Sequence, residues 1–279
     1  MPASAPYPAP PTARGSVSDR YHGDDVADPY RWLEELDSED TQRWVQAQNA
    51  ETFGHLESLP TRELLRTRIS TLWNYERFGL PSEKGGRTFF SKNDGLQNQA
   101  VLYWADALDA PARVLLDPNT LSDDGTVSLN SYSVSHDGKK IAYGLSSSGS
   151  DWVTWRVRDV ETGADLQDRL EWSKFSGASW AHDDTGFYYS AYDKPRQGSE
   201  YEDANYHQKL FFHRLGTPQS EDELIFEDKA HKDWGFVGAV SDDGAYLVIS
   251  VWRGTEEKNL LFIKRLADGK LVPLVDEWK

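Results

Sequence analysis

Three patterns in this chain contain residue types that enzymes use for catalysis or metal binding. The first is a serine motif. A hydrolase nucleophile needs Gly-x-Ser-x-Gly at a turn from a strand to a helix, so that the hydroxyl is exposed. The nearest match, Gly144-Leu-Ser-Ser-Ser-Gly149, has its second glycine one residue too late and lies among strand-like segments. We therefore predict that residues 144–149 form a loop between strands.

Histidines and paired carboxylates are the other two patterns. His207 and His213 lie six residues apart on a predicted strand and share a face, with two phenylalanines between them. Because the chain has no cysteine and no His-Glu-x-x-His, a structural role is favoured over a metal site. Glycosidases use pairs of carboxylates for catalysis. Here pairs such as Asp242-Asp243 fall in predicted turns, where we expect the carboxylates to accept hydrogen bonds from nearby backbone N–H groups. No cofactor and no metal are expected.

The charge balance restricts the partners. The chain has 46 acidic and 30 basic residues, a net charge of −16, which repels nucleic acid and anionic membranes. No apolar run approaches the roughly 18 residues of a membrane span. The Pro/Ala-rich N-terminus lacks the apolar segment of a signal peptide, so we expect a cytoplasmic protein, with the periplasm as the alternative.

A repeated hairpin organises the second part of the chain. In residues 133–144, SVSHDGKKIAYG, Asp137-Gly138 favours a two-residue turn because glycine readily adopts positive φ. Similar sequences surround Asp183, which lies 46 residues after Asp137, and Asp243, which lies 60 residues after Asp183. A four-stranded propeller blade takes about 40 to 50 residues, so the sequence predicts a β-propeller. Each copy carries a tyrosine in its second strand: Tyr143, Tyr188 and Tyr246.

The periodicity before this region is helical. Asp37-Ser38 are suited to cap a helix over 39–59, and Pro60-Thr61 separates it from a second helix. Two amphipathic helices cannot bury their apolar stripes alone, so they need a further surface. At about Tyr75 the pattern becomes alternating. We therefore predict three parts: a flexible lead-in (1–20), a helical arm (21–75) and a partial propeller (76–279).

Four sets of strands are predicted within the propeller. The third set is interrupted by a polar insertion over 193–205, which explains the wider spacing of the repeat. The strands fall at 87–92, 99–105 and 113–117 in the first blade, 133–144 and 152–160 in the second, 179–191 and 207–215 in the third, and 238–250, 259–266 and 271–275 in the fourth.

Several longer stretches resemble one family. DPYRWLEELDSEDTQRWVQAQN (28–49), NDGLQNQAVLY (93–103), LLDPNTLSDDGTVSL (115–129), GSDWVT (149–154) and YHQKLFFHRLGTPQSED (206–222) are similar to the N-terminal part of prolyl oligopeptidases. The resemblance implies a serine endopeptidase that cleaves short peptides after proline, with a seven-bladed propeller inserted into an α/β-hydrolase domain. The expected fold is then mainly β, an incomplete propeller of about four blades, with a helical arm that packs on the hydrolase domain.

The resemblance also implies roles for individual residues. Phe175 matches a phenylalanine that lines the outer substrate pocket, although a core position between blades is the alternative. Asp151 matches an acid that forms a salt bridge between the propeller and the hydrolase domain. Trp252 stands where many relatives have a substrate-facing arginine, Arg253 is one place late, and Thr255 keeps its place. Separately, Gly235 falls where some relatives have methionine.

Two functions remain open from the sequence. In the first, the chain is part of a peptidase whose partners are short proline-containing peptides and the α/β-hydrolase domain. The family's catalytic triad lies in that later domain, so this chain alone is predicted to be inactive. In the second, the chain is a free-standing propeller that binds peptides or proteins without chemistry.

Overall fold

The computed structural model describes residues 9–196 and 204–278 and divides the chain into two units, the first ending at Trp73 and the second beginning at Asn74. Part of the predicted lead-in (residues 1–8), part of the predicted insertion (197–203) and residue 279 lie outside the described residues. Each unit is considered by itself below.

The first unit contains a hairpin and two helices. Strands β1 (Ser18–Tyr21) and β2 (Asp24–Ala27) pair antiparallel, and the helices are α1 (Glu39–Ser58) and α2 (Arg62–Trp73). The Ser38 hydroxyl caps α1 by accepting a hydrogen bond from the Thr41 N–H at 3.2 Å, which confirms the predicted start of the helix. Both helices keep large apolar side chains exposed: Val45, Phe53, Leu64, Leu65, Ile69, Leu72 and Trp73.

The second unit is built from four antiparallel groups of strands, of which the second and third join into one eight-stranded sheet. The first contains β3 (Arg77–Phe78), β4 (Ser82–Lys84), β5 (Arg87–Asn93), β6 (Val101–Ala105) and β7 (Arg113–Leu116). The second contains β8 (Val127–Val134), β9 (Lys140–Ser147), β10 (Val153–Asp159) and β11 (Asp165–Ser173). The third contains β12 (Ser179–Trp180), β13 (Gly186–Ala191), β14 (Lys209–Arg214) and β15 (Glu223–Phe226). The fourth contains β16 (Trp234–Val240), β17 (Tyr246–Arg253), β18 (Leu260–Arg265) and β19 (Leu271–Val275).

Within each sheet the strands pair in chain order. β4 to β7, β8 to β11, β12 to β15 and β16 to β19 each form a meander, and β3 adds to β5. The second and third sheets are linked by one pair, Ser173 opposite Ala191. Strands from all four predicted blades are present, and the sequence missed the short β3 and β4 and the outer strands β11 and β15. The predicted serine loop is partly wrong, because Gly144 to Ser147 belong to β9.

The three repeated aspartates occupy the same turn position. Asp137, Asp183 and Asp243 each accept a hydrogen bond from the backbone N–H two residues later. The prediction of a two-residue turn is wrong, because the Ser135 N–H bonds the Lys140 carbonyl and leaves four residues in the loop. The repeated tyrosines are not equivalent either. Tyr246 is the residue that closes its turn, whereas Tyr143 lies three places beyond the closing Lys140.

Turns of successive blades pack on each other. A Cβ at Gly138, where φ is +67°, would lie 2.5 Å from the Lys84 carbonyl oxygen in the preceding blade, so only glycine fits. In the next blade, the Asp184 carboxylate accepts hydrogen bonds from the successive N–H groups of His136 and Asp137, at 2.7 and 2.8 Å. The repeated turns therefore bind blade to blade.

The core consists of apolar clusters that join neighbouring blades. Phe89 and Trp104 of the first blade pack with Tyr143 of the second, and Trp155 of the second packs with Phe187 of the third. A third cluster joins the third and fourth blades. A cavity of about 380 Å³ is lined from four sides by the first strands of the meanders, β4, β8, β12 and β16. Groups of strands arranged radially around a central cavity of this kind form a β-propeller.

Candidate functional site

Two aromatic rings from different blades meet on the surface. Phe175 lies in the segment between β11 and β12, and Trp252 lies near the end of β17. Their ring centroids are 6.0 Å apart and their planes are perpendicular, the edge-to-face geometry that aromatic pairs favour. Phe175 is 53% exposed, so it is not a core residue between blades. We call this pair the aromatic corner.

The Trp252 indole rests on the backbone of Gly235. The two residues lie directly opposite each other on β17 and β16. A Cβ placed on Gly235 would lie 2.1 Å from the Cε2 and Cζ2 atoms of the indole, a distance that real Cβ atoms do not adopt. Gly235 and Trp252, two of the positions that the resemblance singled out, therefore form one packing arrangement. Sequence reasoning named both residues but had no signal for their contact.

Arg253 is held by its own turn. Its guanidinium donates to both carboxylate oxygens of Glu256 at 2.7 and 2.8 Å and lies 4.6 Å from the centroid of the Trp278 ring. The hydrogen bond to Glu256 raises the pKa of Arg253 above its ordinary value. Thr255 lies in the same turn and is exposed. Arg253 is thus already paired, while Thr255 faces solvent.

Lys174 connects the aromatic corner with Asp151. The Lys174 ammonium lies 5.5 Å from the centroid of the Phe175 ring and 4.9 Å from that of Trp152, positions typical of cation–π contacts. It also lies 3.8 Å from an Asp151 carboxylate oxygen. Lys174 is 13% exposed, whereas Asp151 is 65% exposed. Asp151 therefore has a partner inside the propeller and still presents its carboxylate to solvent.

A buried polar group lies apart from this surface. The side chain of His213, on β14, has a carboxylate at each ring nitrogen: Asp168 Oδ1 at 2.9 Å from Nε2 and Asp222 Oδ1 at 2.7 Å from Nδ1. His207 precedes the strand and is exposed, so the prediction that the two histidines share a strand face is wrong. The described residues contain no group of three or more His, Asp or Glu side chains arranged to hold a metal.

The exposed surface combines two aromatic rings, the hydroxyl of Thr255 and two cations that are already paired. Within the described residues, no helix is both long and apolar enough to cross a membrane.

In chain order, a helical unit precedes a β-propeller. The family profile described as "Prolyl oligopeptidase, N-terminal beta-propeller domain" matches residues 10–279. The chain therefore belongs to the prolyl oligopeptidase family, as the resemblance implied, and corresponds to its N-terminal propeller domain.

Individual relatives agree with this family. Prolyl endopeptidase from Elizabethkingia meningoseptica is 46% identical over 95% of this chain, and prolyl endopeptidase from Elizabethkingia miricola is 43% identical over 95%. The chain spans 37% of the length of each. Among solved structures, prolyl oligopeptidase B from Galerina marginata, bound to a peptide substrate, matches with a TM-score of 0.81 at 29% identity. That match covers 99% of this chain and 42% of the other.

Proposed function

We propose that the chain supplies the helical arm and propeller of a serine-type prolyl oligopeptidase that hydrolyses short peptides after proline. The observation that carries the proposal is the 46% identity to a prolyl endopeptidase over 95% of the chain, of which the chain spans only 37%. The complementary part of such an enzyme is an α/β-hydrolase domain, which would supply the serine nucleophile, its base and the oxyanion donors.

Within this enzyme the chain contributes to the substrate cleft. Phe175 and Trp252 would contact an apolar part of the peptide, and the hydroxyl of Thr255 would offer a hydrogen bond. Arg253 would act indirectly, because its guanidinium is bound by Glu256. The propeller would restrict access to the cleft and so admit only short peptides. In this division of roles, the propeller would select the peptides and the hydrolase domain would hydrolyse the peptide bond.

The two helices and Asp151 would bind the hydrolase domain. Leu65, Ile69 and Leu72 of α2 are more than half exposed, and large apolar faces of this kind mark surfaces that another element covers. Asp151 remains accessible for a salt bridge despite its contact with Lys174. Such an exposed pair contributes only about 0 to 1 kcal/mol, so it would orient the domains more than hold them together.

A chimera tests the proposal. The segment of the Elizabethkingia meningoseptica prolyl endopeptidase that aligns with this chain is replaced by the chain itself, and hydrolysis of a proline-containing reporter peptide is measured. We expect turnover that a serine-directed inhibitor abolishes, and no turnover from the 279-residue chain alone. A correctly folded but inactive chimera, or inhibitor-sensitive activity of the chain alone, would contradict the proposal.

A free-standing peptide-binding propeller is the second candidate, and the exposed aromatic corner favours it as much as it favours a cleft wall. Peptide binding by the chain alone, combined with an inactive chimera, would select this function. A cytoplasmic location stays a prediction under either function.

A further inference from the structure

We propose that a cavity on the second blade binds a single carboxylate group of a peptide, with the Arg156 guanidinium as its main partner. This inference rests on the proposed function in one respect: the carboxylate is taken to belong to a peptide. Three features of the structure carry it: a guanidinium without a partner, a local surplus of one positive charge, and hydroxyl groups around the same cavity.

The cavity has a volume of about 360 Å³, within the range of roughly 300–1,000 Å³ that is usual for small-ligand sites. It is bounded by all four strands of the second blade and by the loop between β9 and β10. None of the described residues that line it is acidic, although the chain has 46 acidic residues. Its polar lining consists of Ser146, Ser147, Ser150, Thr154, Arg156 and Arg169.

Arg156 lies on β10 and is partly buried. Within the part of the chain that the structure describes, no hydrogen bond or ion pair engages its guanidinium. Asp165, an acid on the opposing strand β11, is already bound. Arg158 donates to both its oxygens at 2.7 and 3.1 Å, and the Tyr143 hydroxyl donates to it at 2.8 Å. Because a guanidinium presents its N–H groups as a planar fork that matches a carboxylate, Arg156 is suited to bind one in the cavity.

Arg169 lies directly opposite Arg156, on β11. Like charges at opposite positions of a sheet repel each other. Arg169 has a single acceptor, since its Nε and Nη2 both donate to one oxygen of Glu171, at 3.1 and 2.7 Å. With Arg158 paired to Asp165, three arginines of β10 and β11 share two carboxylates. One positive charge is left over, which a single carboxylate neutralises and a dianionic phosphate exceeds.

Hydroxyl groups complete the polar wall. Thr154 precedes the unpaired arginine by two residues on β10, so both side chains lie on the same face of the strand. The Ser150 hydroxyl accepts the Trp152 N–H at 3.1 Å, and its own proton remains for a ligand. The loop is held by a hydrogen bond from the Ser148 N–H to the Thr126 carbonyl at 2.9 Å. The Trp152 indole lines the same cavity and would cover the carbon chain that carries the carboxylate.

Binding of matched peptides to the whole chain tests the proposal. The probes are acetyl-Ala-Pro-Ala as the free acid, the same peptide as its C-terminal amide, and the amide with Glu in place of the last Ala. Dissociation constants are measured by calorimetry at neutral pH, without phosphate or carboxylate in the buffer. We expect at least one of the two carboxylate peptides to bind at least about tenfold more tightly than the plain amide, which offers no charge to Arg156. The tighter of the two shows whether the site takes a terminus or a side chain.

Two substitutions should change the affinity in opposite directions. Arg156→Gln should weaken the preferred carboxylate peptide about tenfold and change the plain amide less than about twofold. Glu171→Gln releases Arg169 and increases the surplus charge, so it should tighten the carboxylate peptide at least about threefold. The matched control is Arg265→Gln, which removes the same charge from an arginine of the fourth blade, 3.5 Å from Asp268, and should change neither affinity. Near-ultraviolet circular dichroism checks the fold of each variant.

The outcomes separate this site from the proposed function. Equal affinity of the wild-type chain for all three peptides, binding of none, or a folded Arg156→Gln variant that keeps the preference overturns the carboxylate site. Inorganic phosphate that binds more tightly than both carboxylate peptides also overturns it. The peptidase function is tested by turnover of the chimera. An active chimera without a carboxylate preference therefore rejects the site alone, and an inactive chimera with a preference that depends on Arg156 rejects the peptidase alone.

Discussion

His213 Nε2 lies 2.9 Å from Asp168 Oδ1 across the boundary between the second and third blades. Asp222 holds the other ring nitrogen at 2.7 Å, and all three side chains are at most 2% exposed. Each ring nitrogen of His213 thus faces a carboxylate oxygen, so both N–H groups of a protonated imidazole find an acceptor. This buried group binds two blades through charge as well as through apolar packing.

The first prediction concerns stability at alkaline pH. Burial opposes the charge on His213, but the hydrogen bonds to Asp168 and Asp222 outweigh it and raise the His213 pKa from 6.5 to about 9. A raised pKa in the folded state means that the stabilisation is complete below pH 6.5 and is lost as the pH rises through about 9. We expect the melting temperature of the chain to fall between about pH 7 and pH 10.

His213→Gln is the control for this profile. Glutamine cannot titrate, so its melting temperature should be lower at neutral pH and should fall less steeply over the same range. The variant should lose about 3–5 kcal/mol at neutral pH, the usual effect of removing one partner from a buried ionic group. Parallel profiles for the two proteins would show that His213 does not carry the pH dependence.

The second prediction concerns the fall of the melting temperature at acidic pH, the acid limb of the melting profile. Burial disfavours the Asp168 carboxylate, but hydrogen bonds from His213 and the Gly216 N–H prevail and lower its pKa. A lowered pKa in the folded state stabilises the chain above the unfolded value of 3.8, and this contribution is lost as the pH falls through the folded value. Asp168→Asn should therefore flatten the acid limb of the melting profile. If the acid limb of Asp168→Asn equals that of the wild-type chain, other carboxylates cause the loss of stability at acidic pH.

The third prediction concerns the contact between repeated turns. Asp184→Ala removes the acceptor of two N–H groups in the preceding blade. Each hydrogen bond to a charged group contributes about 1.5–3 kcal/mol, so we expect the loss of two to lower the free energy of unfolding in urea by roughly 3–6 kcal/mol. The comparison variant is Asp183→Ala, because Asp183 accepts two hydrogen bonds from Thr185 within its own turn and should lose a similar amount. A loss below about 1 kcal/mol in Asp184→Ala would refute a link between the blades through Asp184.

The fourth prediction concerns the core between the second and third blades. Phe187 is fully buried and contacts the rings of Trp155, Trp180 and His213. Phe187→Ala should destabilise the chain by about 3–5 kcal/mol, since it removes apolar contacts and leaves a cavity. Leu274→Ala, at an exposed position of β19, should change the free energy of unfolding by less than about 0.5 kcal/mol.

Much of the architecture was predictable from local patterns. Ser38 placed the start of α1 because a hydroxyl before a helical pattern satisfies an N–H of the first turn. The repeated Asp137, Asp183 and Asp243 placed three turns, since a short carboxylate bonds the backbone two residues later. The turn length was not predictable, because it depends on Ser135 and Lys140 pairing across the loop.

The propeller repeat, the two helices and the family could be predicted from the sequence, because spacing, capping and turn chemistry act over a few residues. The contact between Gly235 and Trp252, with Phe175 beside it, could not, because strand register and the approach of separate blades bring these residues together. The same holds for Asp168, His213 and Asp222, which lie up to 54 residues apart in the chain. Their buried contacts follow from the packing of blade against blade, which no local pattern contains.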